Sequence, residues 1–237
     1  MSDLLQEARW IIRECAPSKL LMGAFSGGKD SIVVHRVCEI EKVRPEWHYH
    51  VTTIDPPEVV QFIRKNYPSV HFDKPRHGYF FKRARQKNLL PSRRYRWCCD
   101  EYKESRGPLN CTWITGVRRE ESPARNIEPV VGLHRRSRRV HVRPLSNWDA
   151  ESLWDFIHIE KLVYPNLYDE GFHRLGCVGC PLATRYSRER EMNRWPYIGE
   201  KWVALAKHYY LSRNKTQKWD NFESFEEFFN VWMNGKL

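Results

Sequence analysis

The run Ser26-Gly27-Gly28-Lys29-Asp30-Ser31 constrains this chain more than any other stretch of it. An apolar segment, Leu20-Leu21-Met22-Gly23-Ala24-Phe25, precedes the run, and a segment of helical character, Ile32 to Val43, follows. Strand, glycine turn and helix start in that order make an anion site. Two glycines let backbone N–H groups turn toward a phosphate, the helix N-terminus adds positive potential, and Lys29 supplies a mobile charge. A plain glycine-rich helix cap explains the two glycines but not the Ser, Lys, Asp and Ser around them. The four-residue spacer of a Walker A loop is absent.

The rest of the chain alternates between the two periodicities. Residues 3–15 read as an amphipathic helix, with Leu4, Leu5, Ala8, Ile11 and Ile12 near helical spacing. Leu20–Phe25 is then a strand, Lys29–Lys42 a helix, Trp47–Ile54 a strand, and Glu58–Asn66 a helix opened by Pro56-Pro57. Val70–Phe72, Tyr79–Asn88 and Thr112–Thr115 continue as strand, basic helix and strand, the last ending at Gly116. This order predicts an α/β fold with a doubly wound, mostly parallel sheet, and ligands at the carboxyl ends of its strands. Ser26, Asp55 and Gly116 all follow strand ends and are expected on one face. Val130–Leu133 and Val140–Val142 read as a hairpin, and Trp148–Glu160 as a helix capped by Asp149 or Asn147. Two aromatic-rich helices, roughly 199–213 and 221–233, form a small C-terminal helical extension whose rings read as core. The expected division is a nucleotide-binding domain with the cysteines over 1–185 and a helical subdomain over 186–237.

A chain of 237 residues buries one substantial core. No apolar run reaches the length of about eighteen residues that a membrane span needs, and the acidic, amphipathic start is unlike a secretory leader. A cytoplasmic enzyme without a membrane partner is the expectation. Seven cysteines, an odd number, favour metal or redox chemistry over a disulfide framework. The net charge of +11 includes arginine clusters at Arg93–Arg96, Arg118–Arg119 and Arg135–Arg139. Such a field attracts RNA, DNA or a polyphosphate ligand, although a solvated basic face also accounts for a cluster.

Four cysteines stand apart: the tandem Cys98-Cys99 and the pair Cys177-Val178-Gly179-Cys180. Four thiolates suit zinc or an iron–sulfur cluster. Adjacent cysteines fit a compact tetrahedral zinc site poorly, whereas a cubane offers separate iron corners, and Cys180-Pro181 matches the Cys-Pro ending of iron–sulfur loops. Cys15, Cys38 and Cys111 read as core thiols.

Taken together these motifs resemble a known family. Ser26–Ser31 resembles the PP-loop, SGGxDS, of the adenine nucleotide alpha-hydrolase-like superfamily, which implies an adenine nucleotide held through its phosphates. The CC pair followed far downstream by CxxC resembles the pattern of adenylyl-sulfate (APS) reductases in the phosphoadenylyl-sulfate (PAPS) reductase family, which implies a [4Fe-4S] cluster on Cys98, Cys99, Cys177 and Cys180. Thr115-Gly116-Val117-Arg118-Arg119-Glu120-Glu121-Ser122, with Arg125, is similar to the family's TGxRRxES…R segment. That similarity implies phosphate or sulfate contacts from Arg118, Arg119 and Arg125, with Gly116 and Ser122 also among the nucleotide-binding residues. Arg143–Asp149, Leu153–Ile157 and Tyr164–Phe172 resemble its PLxxW, DVWxYI and NPLYxxGF stretches, so the resemblance spans about residues 20–185.

Two departures shape the functional expectation. Asp55, which the resemblance implies as a nucleotide contact to the ribose or the metal-bound phosphates, is followed by Pro56-Pro57 where the family has Asp-Thr-Gly, and no cysteine follows Cys180 where its reductases carry a nucleophilic thiol. The leading expectation is therefore ATP-dependent sulfur transfer to a nucleic acid or small acceptor. Pyrophosphate would be released, Mg2+ would bridge the phosphates, and a donor protein would supply sulfur. The alternatives are an APS or PAPS reductase that uses an external thiol, and a non-catalytic, cluster-bearing nucleotide-binding subunit. No residue is singled out as catalytic.

Overall fold

The apolar run ahead of the glycine turn sits inside a six-stranded sheet. The computed structural model describes residues 2–15, 20–104, 111–134, 139–213 and 222–237. The strands are β1 (Leu21–Ala24), β2 (Glu46–His50), β3 (His71–Asp73), β4 (Thr112–Ile114), β5 (Val131–His134) and β6 (Arg139–Val142). Their order is β3-β2-β1-β4-β6-β5, parallel throughout except for the antiparallel β5–β6 hairpin at one edge. The helices are α1 (Ser2–Cys15), α2 (Lys29–Ile40), α3 (Pro57–Asn66), α4 (Phe80–Lys87), α5 (Trp97–Cys99), α6 (Pro123–Asn126), α7 (Ala150–Ile159), α8 (Arg185–Arg194), α9 (Pro196–Ser212) and α10 (Phe225–Met233). The fold is the expected α/β type. Among the described residues no helix is long and apolar enough to cross a membrane.

The chain divides into two compact units that interleave along the sequence, where the sequence reading drew one boundary after residue 185. The first, Met1–His50, Pro57–Asp73 and Ser105–Leu175, contains the whole sheet with α1, α2, α3, α6 and α7. Its core joins Ile32, Val33, Val34 and Val37 of α2, Leu153, Phe156 and Ile157 of α7, and Trp47 and Ile114 of the sheet. The second, Val51–Pro56, Lys74–Glu104 and Gly176–Leu237, is helical and aromatic. There Trp202 of α9 meets Phe80 and Trp232 at centroid distances of 5.2 and 5.4 Å, and Trp97, Tyr102, Phe228 and Met233 complete the cluster.

Three differences from the sequence reading have local reasons. β2 stops at His50 rather than Ile54. Thr52 instead donates its N–H and hydroxyl to the two Asp55 carboxylate oxygens at 2.8 and 2.7 Å, and Thr53 turns left-handed at φ 67°. α2 ends at Ile40, with Lys42 left-handed at φ 58°. A third C-terminal helix, α8, appears in a stretch almost without apolar residues, so no periodicity marks it.

Gly23 lets β1 and β2 pack at full contact: a Cβ there would stand 2.1 Å from the Trp47 ring. The Gly23→Ala variant is expected to lose about 1–3 kcal/mol from this overpacking, read as a lower urea midpoint at unchanged slope.

His35 of α2 lies among Phe25, Trp47 and Tyr67, at centroid distances of 5.7, 4.9 and 5.1 Å. Burial holds its pKa below the ordinary 6.5, with Glu39 opposing. As pH falls through 6.5 the unfolded chain binds the proton first, so this contribution is complete above 6.5 and is lost below it. Stability measured down that range should fall less steeply in His35→Phe than in the parent.

Candidate functional site

In the first unit, Gly28 caps α2 in an extended conformation, and the helix begins at Lys29. Gly27 has a φ of 73°, and a side chain there would meet Ile63 of α3 at 2.8 Å, so only glycine makes the turn. The serines brace the loop from within. Ser31 Oγ donates to the Gly28 carbonyl at 2.8 Å, and Ser26 Oγ lies 3.3 Å from Ser31 Oγ. Gly116, just beyond β4, stands against the first turn of α2, where a Cβ would come 2.7 Å from the Asp30 carbonyl oxygen. Ser26 and Gly116 therefore follow the ends of the adjacent parallel strands β1 and β4.

Asp30 joins the charges. Its carboxylate accepts from Lys29 Nζ at 3.1 Å and from Arg118 Nε at 2.6 Å. Arg118, buried, also donates to Glu120 at 2.7 Å and to the Trp148 carbonyl at 3.2 Å. Burial works against the Arg118 charge, but Asp30 and Glu120 outweigh it and raise its pKa. Tyr168, which the sequence reading did not single out, accepts the Lys29 N–H at 2.9 Å. Burial pushes its phenol well up, so it stays neutral with a proton to donate. Lys29, Arg118, Trp154, Tyr164, Tyr168 and His173 line a cleft of about 470 Å³. Trp154 contacts Tyr164 and Tyr168 edge-to-face at 5.1 and 5.2 Å. Two cations beside flat apolar rings suit a ligand with an anionic tail and an aromatic head.

The remaining expected nucleotide contacts have other partners. Arg119 donates to Asn147 at 2.6 Å, Ser122 caps α6 by accepting the Arg125 N–H, and Arg125 pairs with Glu121. Asp55 belongs to the second unit. Of the arginine cluster at the hairpin tip, residues 135–138 lie outside the described residues, and Arg139 is buried in β6.

All four singled-out cysteines also belong to the second unit. Cys98 and Cys99 lie in α5, which widens into a π-helical turn over Asp100–Glu104, a form frequent at functional sites. Cys177 and Cys180 lie in a loop held from three sides. Val178 donates its N–H to the Ile54 carbonyl at 2.8 Å, Trp202 Nε1 donates to the Val178 carbonyl at 2.8 Å, and the Gly179 N–H reaches the Glu191 carboxylate at 2.7 Å. Cys177 Sγ lies 3.6 Å from Thr52 Oγ1.

The thiols act on one another. A hydrogen bond with Cys99 and burial drive the Cys98 thiol up, with smaller contributions from Cys177 and Cys180. The same hydrogen bond, helped by Arg96, draws Cys99 down to about 5. Lys103, absent from the sequence reading, faces the group: Cys177 foremost, then Asp55, Cys180 and Cys99 outweigh burial and hold its ammonium charged. Arg188 of α8, fully buried, adds a second cation near Cys180 and donates to the Trp232 and Met233 carbonyls at 2.8 and 3.0 Å.

Among the described residues no three His, Cys, Asp or Glu side chains form a group able to hold a metal ion. The donor chemistry, four cysteines beside cations, fits a thiolate-ligated, negatively charged iron–sulfur group. Cys38 and Cys111 are buried as core thiols, and the Cys15 side chain lies outside the described set.

In sequence and in fold the chain is similar to known proteins. The adenosine 5'-phosphosulfate reductase of Shouchella clausii is 24% identical over 211 residues, covering 84% of this chain and 85% of that protein. An uncharacterized protein of Methanocaldococcus jannaschii is 26% identical over 220 residues, 85% of this chain, which spans only 44% of that relative's length. In fold, the PAPS reductase of Candida auris in its phosphate complex superposes with a TM-score of 0.56 at 18% identity, over 74% of this chain and 93% of that one. The Candida glabrata FMN adenylyltransferase bound to FAD and pyrophosphate gives 0.52 at 15% identity, over 74% and 61%. The family model for the phosphoadenosine phosphosulfate reductase domain matches residues 20–183, from β1 past the second cysteine pair, and the chain belongs to that family, within the PP-loop superfamily.

Proposed function

We propose that this protein binds an adenine nucleotide on Ser26–Ser31, with Arg118 and Tyr168, and a [4Fe-4S] cluster on Cys98, Cys99, Cys177 and Cys180. The proposed activity is ATP-dependent sulfur transfer to a nucleic acid or small acceptor. The carrying observation is the inventory of thiols. Apart from the two cysteine pairs, the described cysteine side chains are Cys38 and Cys111, both buried, and burial pushes Cys38 up to about 12. Neither is placed to attack the sulfur of a sulfonucleotide. In this mechanism an acceptor oxygen bonds to the α-phosphorus of ATP, the α–β bridging bond breaks, and pyrophosphate leaves. Hydrosulfide from a donor then displaces AMP, leaving sulfur on the acceptor.

In the first step the loop N–H groups and Lys29 bear the charge of the departing pyrophosphate, and Mg2+ bound with the nucleotide would supply further charge neutralisation. Tyr168 donates its hydroxyl proton to a phosphate oxygen, and Arg118 keeps Asp30 turned away from the anion. Thr52, Lys103 and Arg188 fix the surroundings of the thiolates. The cluster, when bound, supplies sulfur affinity and a store of electrons.

The APS reductase relatives favour a second reading, reduction of APS or PAPS by a thiol from outside the described residues. Offering ATP, APS and PAPS in parallel separates the two. Pyrophosphate formed from ATP with an acceptor and a sulfide donor is the expected result. Sulfite formed from APS or PAPS with an added thiol would establish the reductase instead.

Two further outcomes are expected. Lys29→Ala and Arg118→Ala should each weaken nucleotide affinity by roughly 10- to 100-fold in calorimetry, the scale of a lost charged hydrogen bond. Anaerobically purified protein should be brown, with about four irons per chain. Cys98→Ser and Cys177→Ser should lose that absorbance, and colourless, zinc-loaded parent protein would refute the cluster.

A further inference from the structure

The charge of this chain is unevenly shared. Twenty Lys and Arg against eleven Asp and Glu give the second unit +9 of the total +11. Much of that excess is concentrated on α4, Phe-Phe-Lys-Arg-Ala-Arg-Gln-Lys, where the cations fall into two sets. Arg83 and Lys87 turn to one carboxylate, Glu101, at 2.8 and 2.6 Å. Lys82 and Arg85 are exposed and make no ion pair among the described residues. With Lys201 of α9 and Tyr79, they line a cleft of about 500 Å³ that has no carboxylate in its wall. Tyr79 is 75% exposed, and Tyr197 is 68% exposed with the Lys201 ammonium 3.9 Å above its ring.

We propose that this cleft binds single-stranded nucleic acid. Lys82, Arg85 and Lys201 would track the phosphates, and Tyr79 would offer a flat face to an unpaired base. An exposed ring beside unpaired cations is the combination that single-strand binders use. Duplex bases are already stacked and would leave the ring uncovered, and an acidic peptide would need only the cations. The proposal deepens the acceptor side of the proposed function and rests on it for the meaning of the strand. Binding itself needs no ATP, sulfide or turnover.

The test is fluorescence anisotropy with labelled RNA and DNA single strands of about 16 nucleotides. It uses the full chain, purified anaerobically and free of nucleotide. Between about 50 and 200 mM salt, Lys82→Ala with Arg85→Ala should reduce the log–log salt slope by about 1.4, two phosphate contacts' worth. Tyr79→Ala should weaken binding roughly tenfold and leave that slope unchanged. Equal urea midpoints for parent and variants would show that the fold is intact. No binding to either strand would overturn the proposal. So would full affinity in Tyr79→Ala together with equal competition by heparin, duplex or polyglutamate, because that marks a generic anion surface. Strand binding without pyrophosphate release would leave this inference standing and count against the ATP reading, while the reverse result would do the opposite.

Discussion

One carboxylate serves two cations at the head of α2. Lys29 and Arg118 keep only 11% and 5% of their side chains exposed, and both lean on Asp30. A buried charge without a partner costs several kcal/mol, so Asp30 makes it tolerable to place a lysine and an arginine behind a glycine turn. It also ties the loop after β1 to the loop after β4, because Arg118 reaches it from beyond Gly116. Glu120, half exposed, takes the other side of the Arg118 guanidinium, so the two cations are matched by two carboxylates. The positive end that remains at this turn is that of the helix, carried by the loop N–H groups.

In the second unit the aromatic core and the cysteine site share atoms. Trp202 packs against Phe80 and Trp232 and spends its indole N–H on the Val178 carbonyl between Cys177 and Cys180. Arg188 lies 4.0 Å over the Trp232 ring and holds the last carbonyls of α10. The thiols thus sit on the packed part of this unit, which suits ligands that must hold their geometry.

What could be read in the sequence followed from local chemistry. The strand–turn–helix around Ser26–Ser31 is written in adjacent residues, and the two cysteine pairs are visible from their spacing. The expected end of strand β2 falls four residues too late because Val51-Thr52-Thr53-Ile54 has strand-forming side chains, whereas the Asp55 carboxylate folds that segment into a turn. Helix α8 has too few apolar residues to show a face, and its buried residue is an arginine. Lys103 and Tyr168 gained their places through partners 74 and 139 residues away, Cys177 and Lys29, a separation no local pattern encodes.

The interleaving of the two units has a consequence for how this protein can be cut or recombined. The backbone passes from one unit to the other after residues 50, 56, 73, 104 and 175. The segment Val51–Pro56, which carries Thr52, Ile54 and Asp55 to the cysteine unit, leaves the sheet after β2 and returns to open α3. A single nick at any one crossing leaves four others intact, and no continuous stretch of sequence contains either unit alone. The unit that carries the cysteines is interwoven in sequence with the sheet unit rather than appended to it, so no single cut in the backbone releases either one.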